Sequence, residues 1–175
     1  IKEKNSLNNK YRLGLTQFAA FTQSEYHSML STKITPKKSH PTKSIKKSNV
    51  DSFDWREKGV LSNVKYEFQA CSSNWAYITA DAAEAVNAIA TGAHYVFSVQ
   101  ELVDCVIGCS GCTSGSVSAA LDYVIQYQGG QFCLESDYPY SYSLESCKFS
   151  EFEHYGSISS YINVAEGDQN DLCEK

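Results

Sequence analysis

The chain has 175 residues, enough for one domain or a domain with a short appendage, and its 42% hydrophobic share permits a packed core. No apolar run approaches the ~18 residues of a membrane-spanning helix, so no membrane partner is expected. The net charge of -5 hides an asymmetry, since residues 1–48 carry +8 and residues 49–175 carry -13.

Opposite signs at the two ends predict a basic arm that docks on its own acidic body. A nucleic-acid-binding arm is disfavoured, because the basic stretch has few aromatics and the body would repel phosphate. The chain begins at Ile1 rather than Met, so the native N-terminus is expected upstream. Residues 1–30 read as polar and helical at first, with a short strand-like run over 11–21. Thr22, with Glu25 three residues on, fits an N-cap and its capping partner. Residues 31–50 hold six lysines, Pro36, Pro41 and no acid, the composition of an exposed linker that proteases cut easily.

From Asp51 the composition turns globular. Apolar residues at helical spacing (Trp75, Ile78, Ala82, Val86, Ile89) predict a helix over 75–91, with Thr79 the one polar interruption and Gly92 the stop. Ser98 to Glu101 reads as a capping box opening a short helix through Asp104. A third helix is predicted over 116–127, with Val117, Ala120, Leu121 and Val124 on one face and Gly129-Gly130 ending it. Residues 154–164 alternate as a strand would, and 166–175 form a polar end.

The seven cysteines are Cys71, Cys105, Cys109, Cys112, Cys133, Cys147 and Cys173. That density favours an oxidising compartment. Cys109 and Cys112 form a C-x-x-C, which suits a zinc or redox half-site. Zinc needs a second ligand pair, whereas His27, His40, His94 and His154 are scattered singly. Disulfides are therefore preferred, and neither metal nor cofactor is expected. The odd count leaves at least one thiol free or waiting for a partner.

Several strings resemble a known family when taken in order. Phe53-Asp54-Trp55-Arg56, then Val64-Lys65, then Cys71-Ser72-Ser73-Asn74-Trp75 resemble the start of a mature papain-like cysteine protease, whose signature is C-G-[SA]-C-[WY]. Ser98 to Cys105 is similar to S-E-Q-E-L-x-D-C. Cys112-Thr113-Ser114-Gly115 sits where C-N-G-G is usual, and Glu135 to Tyr140 followed by Cys147 matches E-x-x-Y-P-Y and its cysteine. Upstream, Ile1 and Asn5, and then Gly14, Thr16, Phe18 and Ala20, are similar to the I-x-x-x-N spacing and G-x-N-x-F-x-D motif of the inhibitory propeptide, with the Asn and Asp lost.

The resemblance implies an α+β papain-like fold, mainly its helical left lobe with a propeptide remnant, and a right, sheet-rich lobe largely missing. It divides the chain into a propeptide part (1–30), a basic linker (31–50) and the N-terminal part of the peptidase domain (51–175). It places Asn74 at the nucleophile position. A carboxamide does not ionise near neutral pH and cannot supply the thiolate that the chemistry needs, although Asn suits a helix N-terminus. Ser73 would point elsewhere. The oxyanion glutamine falls at Phe68, with Gln69 one step off, either swung in by a bulged loop or facing solvent. The family's His and Asn lie ~130–150 residues beyond the nucleophile, past Lys175.

By the same resemblance Trp75, Ser114 and Gly115 would line the near wall of the substrate cleft, Ser114 reading equally as a plain turn residue. Cys71 would pair with Cys112 and Cys105 with Cys147. Cys109 and Cys133, outside that pattern, are expected to pair with each other, which leaves Cys173 over.

The expected function is a degenerate, catalytically inactive peptidase homologue that binds a peptide, a protein or a related protease, in a secreted, lysosomal or vacuolar setting. Two alternatives stand beside it: an active cysteine endopeptidase represented by an incomplete sequence, and a propeptide-type protease inhibitor.

Overall fold

The computed structural model describes residues 2–6, 10–29, 52–65 and 71–164. The linker 31–50, Gln69 and Cys173 lie outside the described residues. Contacts divide the chain into two units, Ile1–Ser31 and Thr32–Lys175.

In the first unit, α1 (Lys2–Ser6) and α2 (Gln23–Met29) flank an irregular segment. The strand-like run over 11–21 is not a strand. Its backbone bonds go to a side chain and to turns: Asn5 Nδ2 donates to the Leu13 carbonyl at 2.6 Å and Asn5 Oδ1 accepts from the Leu13 N–H at 2.6 Å. The Ala19 and Phe21 N–H groups close turns onto Thr16 and Phe18. Phe18 packs edge-on against Tyr26, with ring centroids 5.4 Å apart. The Thr22–Glu25 capping pair is reciprocal: Thr22 N–H donates to Glu25 Oε2 at 2.7 Å and Glu25 N–H to Thr22 Oγ1 at 3.3 Å.

The second unit is built on α3 (Asn74–Thr91), α4 (Val99–Cys105) and α5 (Val117–Tyr127), with α3 packed against both others. A short 3-10 turn, Trp55–Lys58, precedes them and is capped by Asp54. Gly92 ends α3, its N–H bonding the Ala88 carbonyl. On α5, Ala120 and Val124 are fully buried, and Val117 and Leu121 partly so.

The buried face of α3 differs from the expected one. Of the predicted stripe only Trp75 is buried, while Ile78, Val86 and Ile89 are 52%, 55% and 47% exposed and Ala82 is exposed as well. The core face is Trp75, Ala76, Thr79, Ala80, Ala83, Glu84, Asn87 and Ala88. Small side chains let α4 and α5 approach the α3 backbone closely, and the polar members are satisfied internally. Thr79 Oγ1 donates to the Trp75 carbonyl at 2.7 Å and Asn87 Nδ2 to the Ala93 carbonyl at 2.8 Å.

Extended pairing is confined to isolated bridges among the described residues, including Phe97 with Leu134 and Phe132 with Tyr155. The alternating run 154–164 contributes only its Tyr155 bridge. Gly156, at φ +70°, turns the chain out of register, and the Ile158 N–H then bonds the Gly130 carbonyl.

Carboxylates hold these segments to the helices. Phe97 N–H donates to Glu84 at 2.8 Å and Cys133 N–H to Glu101 at 2.6 Å, while Glu135 accepts from Val99 N–H of α4 at 3.4 Å and from Tyr140 N–H at 2.9 Å. The expected capping box on α4 is therefore half made. Ser98 Oγ accepts from Glu101 N–H at 3.0 Å, but the Glu101 carboxylate serves Cys133 rather than Ser98.

Cys71–Cys112 and Cys105–Cys147 are disulfides, whereas Cys109 and Cys133 are thiols. The third bridge is not formed because the two thiols face different neighbours. Cys109 Sγ accepts from Ser116 N–H at 3.4 Å, while Cys133 Sγ lies 3.9 Å from the Phe149 carbonyl.

Candidate functional site

The site is the N-terminus of α3 and the chain that crosses it. Cys71–Cys112 ties the approach to α3 onto the loop ending at Gly115, and Ser72 N–H bonds the Cys112 carbonyl at 2.9 Å. Ser73 is the N-cap residue, and its carbonyl accepts from Ala76 and Tyr77 N–H. Its hydroxyl is fully buried against Tyr140 Oη at 2.5 Å, so Ser73 offers no nucleophile to the surface. Asn74 opens the helix, and its Oδ1 accepts from Trp75 N–H at 2.8 Å. Asn74 thus engages a backbone donor of the first turn, a group that no intrahelical carbonyl can reach.

Beneath Asn74 sits Trp75, 0% exposed, with Nε1 donating to the Gly111 carbonyl at 3.2 Å. Trp75 and Gly115 were expected on the cleft wall. Both are buried, Trp75 with its whole side chain. A Cβ on Gly115 would lie 2.3 Å from the indole. Glycine is required there because the ring occupies the space. Ser114 is half-buried, and its carbonyl accepts from Ser110 N–H at 2.7 Å, which suits a turn residue.

What lies beside Asn74 at the surface is an open pocket of ≈ 350 Å³. Leu61, Val64, Tyr77 and Ile78 give it apolar walls; Asn63, Lys65, Asn74 and Asp81 supply polar groups. Sequence reasoning missed this surface, although Asn74, Ile78 and Asp81 follow one another at helical spacing on α3. Its far wall, residues 61–65, is fixed by an ion cluster. Lys65 Nζ lies 2.8 Å from Asp81 and 2.5 Å from Glu84, and Ser62 Oγ donates to Glu84 at 2.5 Å. Burial alone would pull the Lys65 ammonium down. Its hydrogen bonds to Asp81 and Glu84 outweigh that and hold it above its ordinary value.

Residues 49–175 match the family described as "Papain family cysteine protease". The chain belongs to that family. Among curated relatives it is 36% identical to the probable cysteine protease RD21B of Arabidopsis thaliana, over 98% of this chain and 38% of that protein. It is 32% identical to cathepsin S of Bos taurus, over 95% of this chain and 51% of that protein. Among solved structures, the proform of the ragweed pollen allergen Amb a 11 aligns with a TM-score of 0.79 at 32% identity, covering 98% of this chain and 55% of that one. The digestive procathepsin L 3 of Tenebrio molitor larval midgut aligns with a TM-score of 0.79 at 30% identity, covering 99% and 55%. The chain thus spans about half the length of these relatives or less. Its described second unit is the helical part of the papain-like fold.

The two free thiols among the described residues, Cys109 and Cys133, are poor nucleophiles. Burial pushes both Cys109 and Cys133 up, and Glu101 beside Cys133 pushes it further. In the native chain, maleimide is expected to modify Cys109 slowly and Cys133 only after denaturation, as read by peptide mass mapping. Equal native rates would contradict the burial of Cys133.

Proposed function

We propose that this chain is a non-catalytic papain-family homologue that binds peptide or protein ligands on the Asn74 face of α3 and does not cleave them. One observation carries the reading: the nucleophile position holds a carboxamide whose oxygen is engaged by the Trp75 N–H. Such a group neither ionises near neutral pH nor attacks a peptide carbonyl. The apolar pocket beside it supports binding of a side chain. Two disulfides support a secreted, lysosomal or vacuolar setting. The match to proforms over nearly the whole chain supports reading residues 1–30 as a propeptide remnant.

The test uses the purified chain, a fluorogenic dipeptide substrate and an epoxide directed at active-site thiols. No turnover and no labelling are expected. Asn74→Cys should be alkylated about tenfold faster than Cys109, because the new thiol sits at the N-terminus of an 18-residue helix. Turnover by the unaltered chain that Asn74→Ala removes would sink the proposal. For the binding half, fluorescence anisotropy of a labelled apolar peptide should weaken on Ile78→Asp; no difference would reject the pocket.

A further inference from the structure

Away from the Asn74 face, the interior of the lobe contains a polar cluster. Glu101 on α4 is 0% exposed, Cys133 is 0% exposed, and Gln128, the residue capping α5, is 6% exposed. Glu101 Oε2 accepts from Cys133 N–H at 2.6 Å. Its other oxygen, Oε1, and both the nitrogen and the oxygen of the Gln128 amide are buried with no hydrogen-bond partner in the protein. Three unpaired polar atoms in one apolar interior carry a large desolvation penalty. A carboxylate there would carry its charge with no cation beside it, since the groups facing it are the Cys133 N–H and thiol, a phenol and an amide. On the adjoining segment that group is Cys133, and on the α5 side they are Tyr123 and Gln128. From α3, the acid Glu84 is turned to Phe97 and Lys65.

We propose that Glu101, Gln128 and Cys133 form a proton-operated latch: with a proton on Oε1, Glu101 donates to the Gln128 carboxamide oxygen while Oε2 holds the Cys133 N–H. The latch fastens α4 at once to the end of α5 and to the 132–134 segment. Removing the proton leaves a buried negative charge with no cation beside it, breaks the O–H donation to Gln128 and loosens the three segments. Burial independently pushes the Glu101 carboxyl from its ordinary 4.5 up to about 8. The nearby Gln128 amide and the Cys133 N–H act against that rise without reversing it.

The sign of the effect follows from linkage. Below about pH 4.5, Glu101 is protonated in both the folded and unfolded chain and contributes no pH dependence. From there to about pH 8 the unfolded chain ionises while the folded one keeps its proton, so stability falls as pH rises. Above that both forms are ionised and the slope vanishes. Glu135 is also pushed up by burial and adds slope in the same direction, under the influence of Lys65 and Glu84. The test is therefore a difference. Urea unfolding of the whole chain and of Glu101→Gln is followed from pH 4.5 to 8.5. The unfolding constant of the unaltered chain should rise by up to about tenfold per pH unit more than that of the variant. Parallel curves would overturn the proposal. If the variant does not fold, carbon-13 titration of the glutamate carboxyls in the unaltered chain decides the matter. A carboxyl titrating near pH 8 is expected, and titration of every glutamate in the ordinary carboxylate range would overturn the latch.

Discussion

Glu84→Ala should destabilise the second unit by about 3–5 kcal/mol, the cost of breaking a buried ion pair from one side. The Glu84 side chain is 2% exposed, and it serves several partners at once. Its carboxylate accepts from Lys65 Nζ, Ser62 Oγ and the Phe97 N–H. Truncation strands the Lys65 ammonium, 17% exposed, with only the half-exposed Asp81 to balance it. It also leaves the buried Phe97 N–H without an acceptor, a loss of about 1–3 kcal/mol by itself. A surface ion pair would be worth less than about 1 kcal/mol. The urea midpoint therefore distinguishes the two pictures, and a loss under 1 kcal/mol would show that the cluster is solvated. Adding Lys65→Met to Glu84→Ala should recover part of the loss, because the stranded charge is then gone. The same cluster fixes residues 61–65, so the single variant should also open the pocket beside Asn74.

That cluster was invisible in the sequence, and the reason is physical. Period and stop signals place α3, α4 and α5 within a residue or two, because Gly92 and Gly129-Gly130 end helices for local reasons. Which side of α3 is buried is a different question. Residues 74–91 are apolar or small on nearly every side, so periodicity alone favoured the bulky stripe of Ile78, Val86 and Ile89. The interior took the alanine side, where neighbouring helices can come close, and with it Thr79, Glu84 and Asn87. Polar residues at those positions read as surface until their partners, up to 22 positions away or supplied by backbone, are placed. The same blindness affected Cys133: standing outside the family's disulfide pattern with Cys109, it had Cys109 as its expected partner, whereas the fold put a glutamate there. Asn74 was legible because its meaning lies in a residue type at a fixed motif position. Even so, only the structure supplies what its oxygen bonds.

Trp75→Ala should cost about 3–5 kcal/mol, as expected for a large aromatic truncated in a packed core. The ring is 0% exposed, donates to the Gly111 carbonyl, and fills the space over Gly115. Gly115→Ala should cost about 1–3 kcal/mol, because its Cβ would sit 2.3 Å from the indole and one of the two must move. These losses should not add. With the indole gone, the methyl group at 115 enters the space it vacated, and the double variant should be more stable than the sum of the singles by about 1–3 kcal/mol. The cycle, measured by urea unfolding, also separates two explanations of the glycine. If Gly115 were needed to let a peptide backbone approach, Gly115→Ala would weaken peptide binding and leave stability nearly unchanged, with no coupling to Trp75. If the indole is the reason, stability falls and the coupling appears. The position of the ring argues for the second. The glycine of the loop then serves to seat α3, and through α3 to hold Asn74 at the helix end.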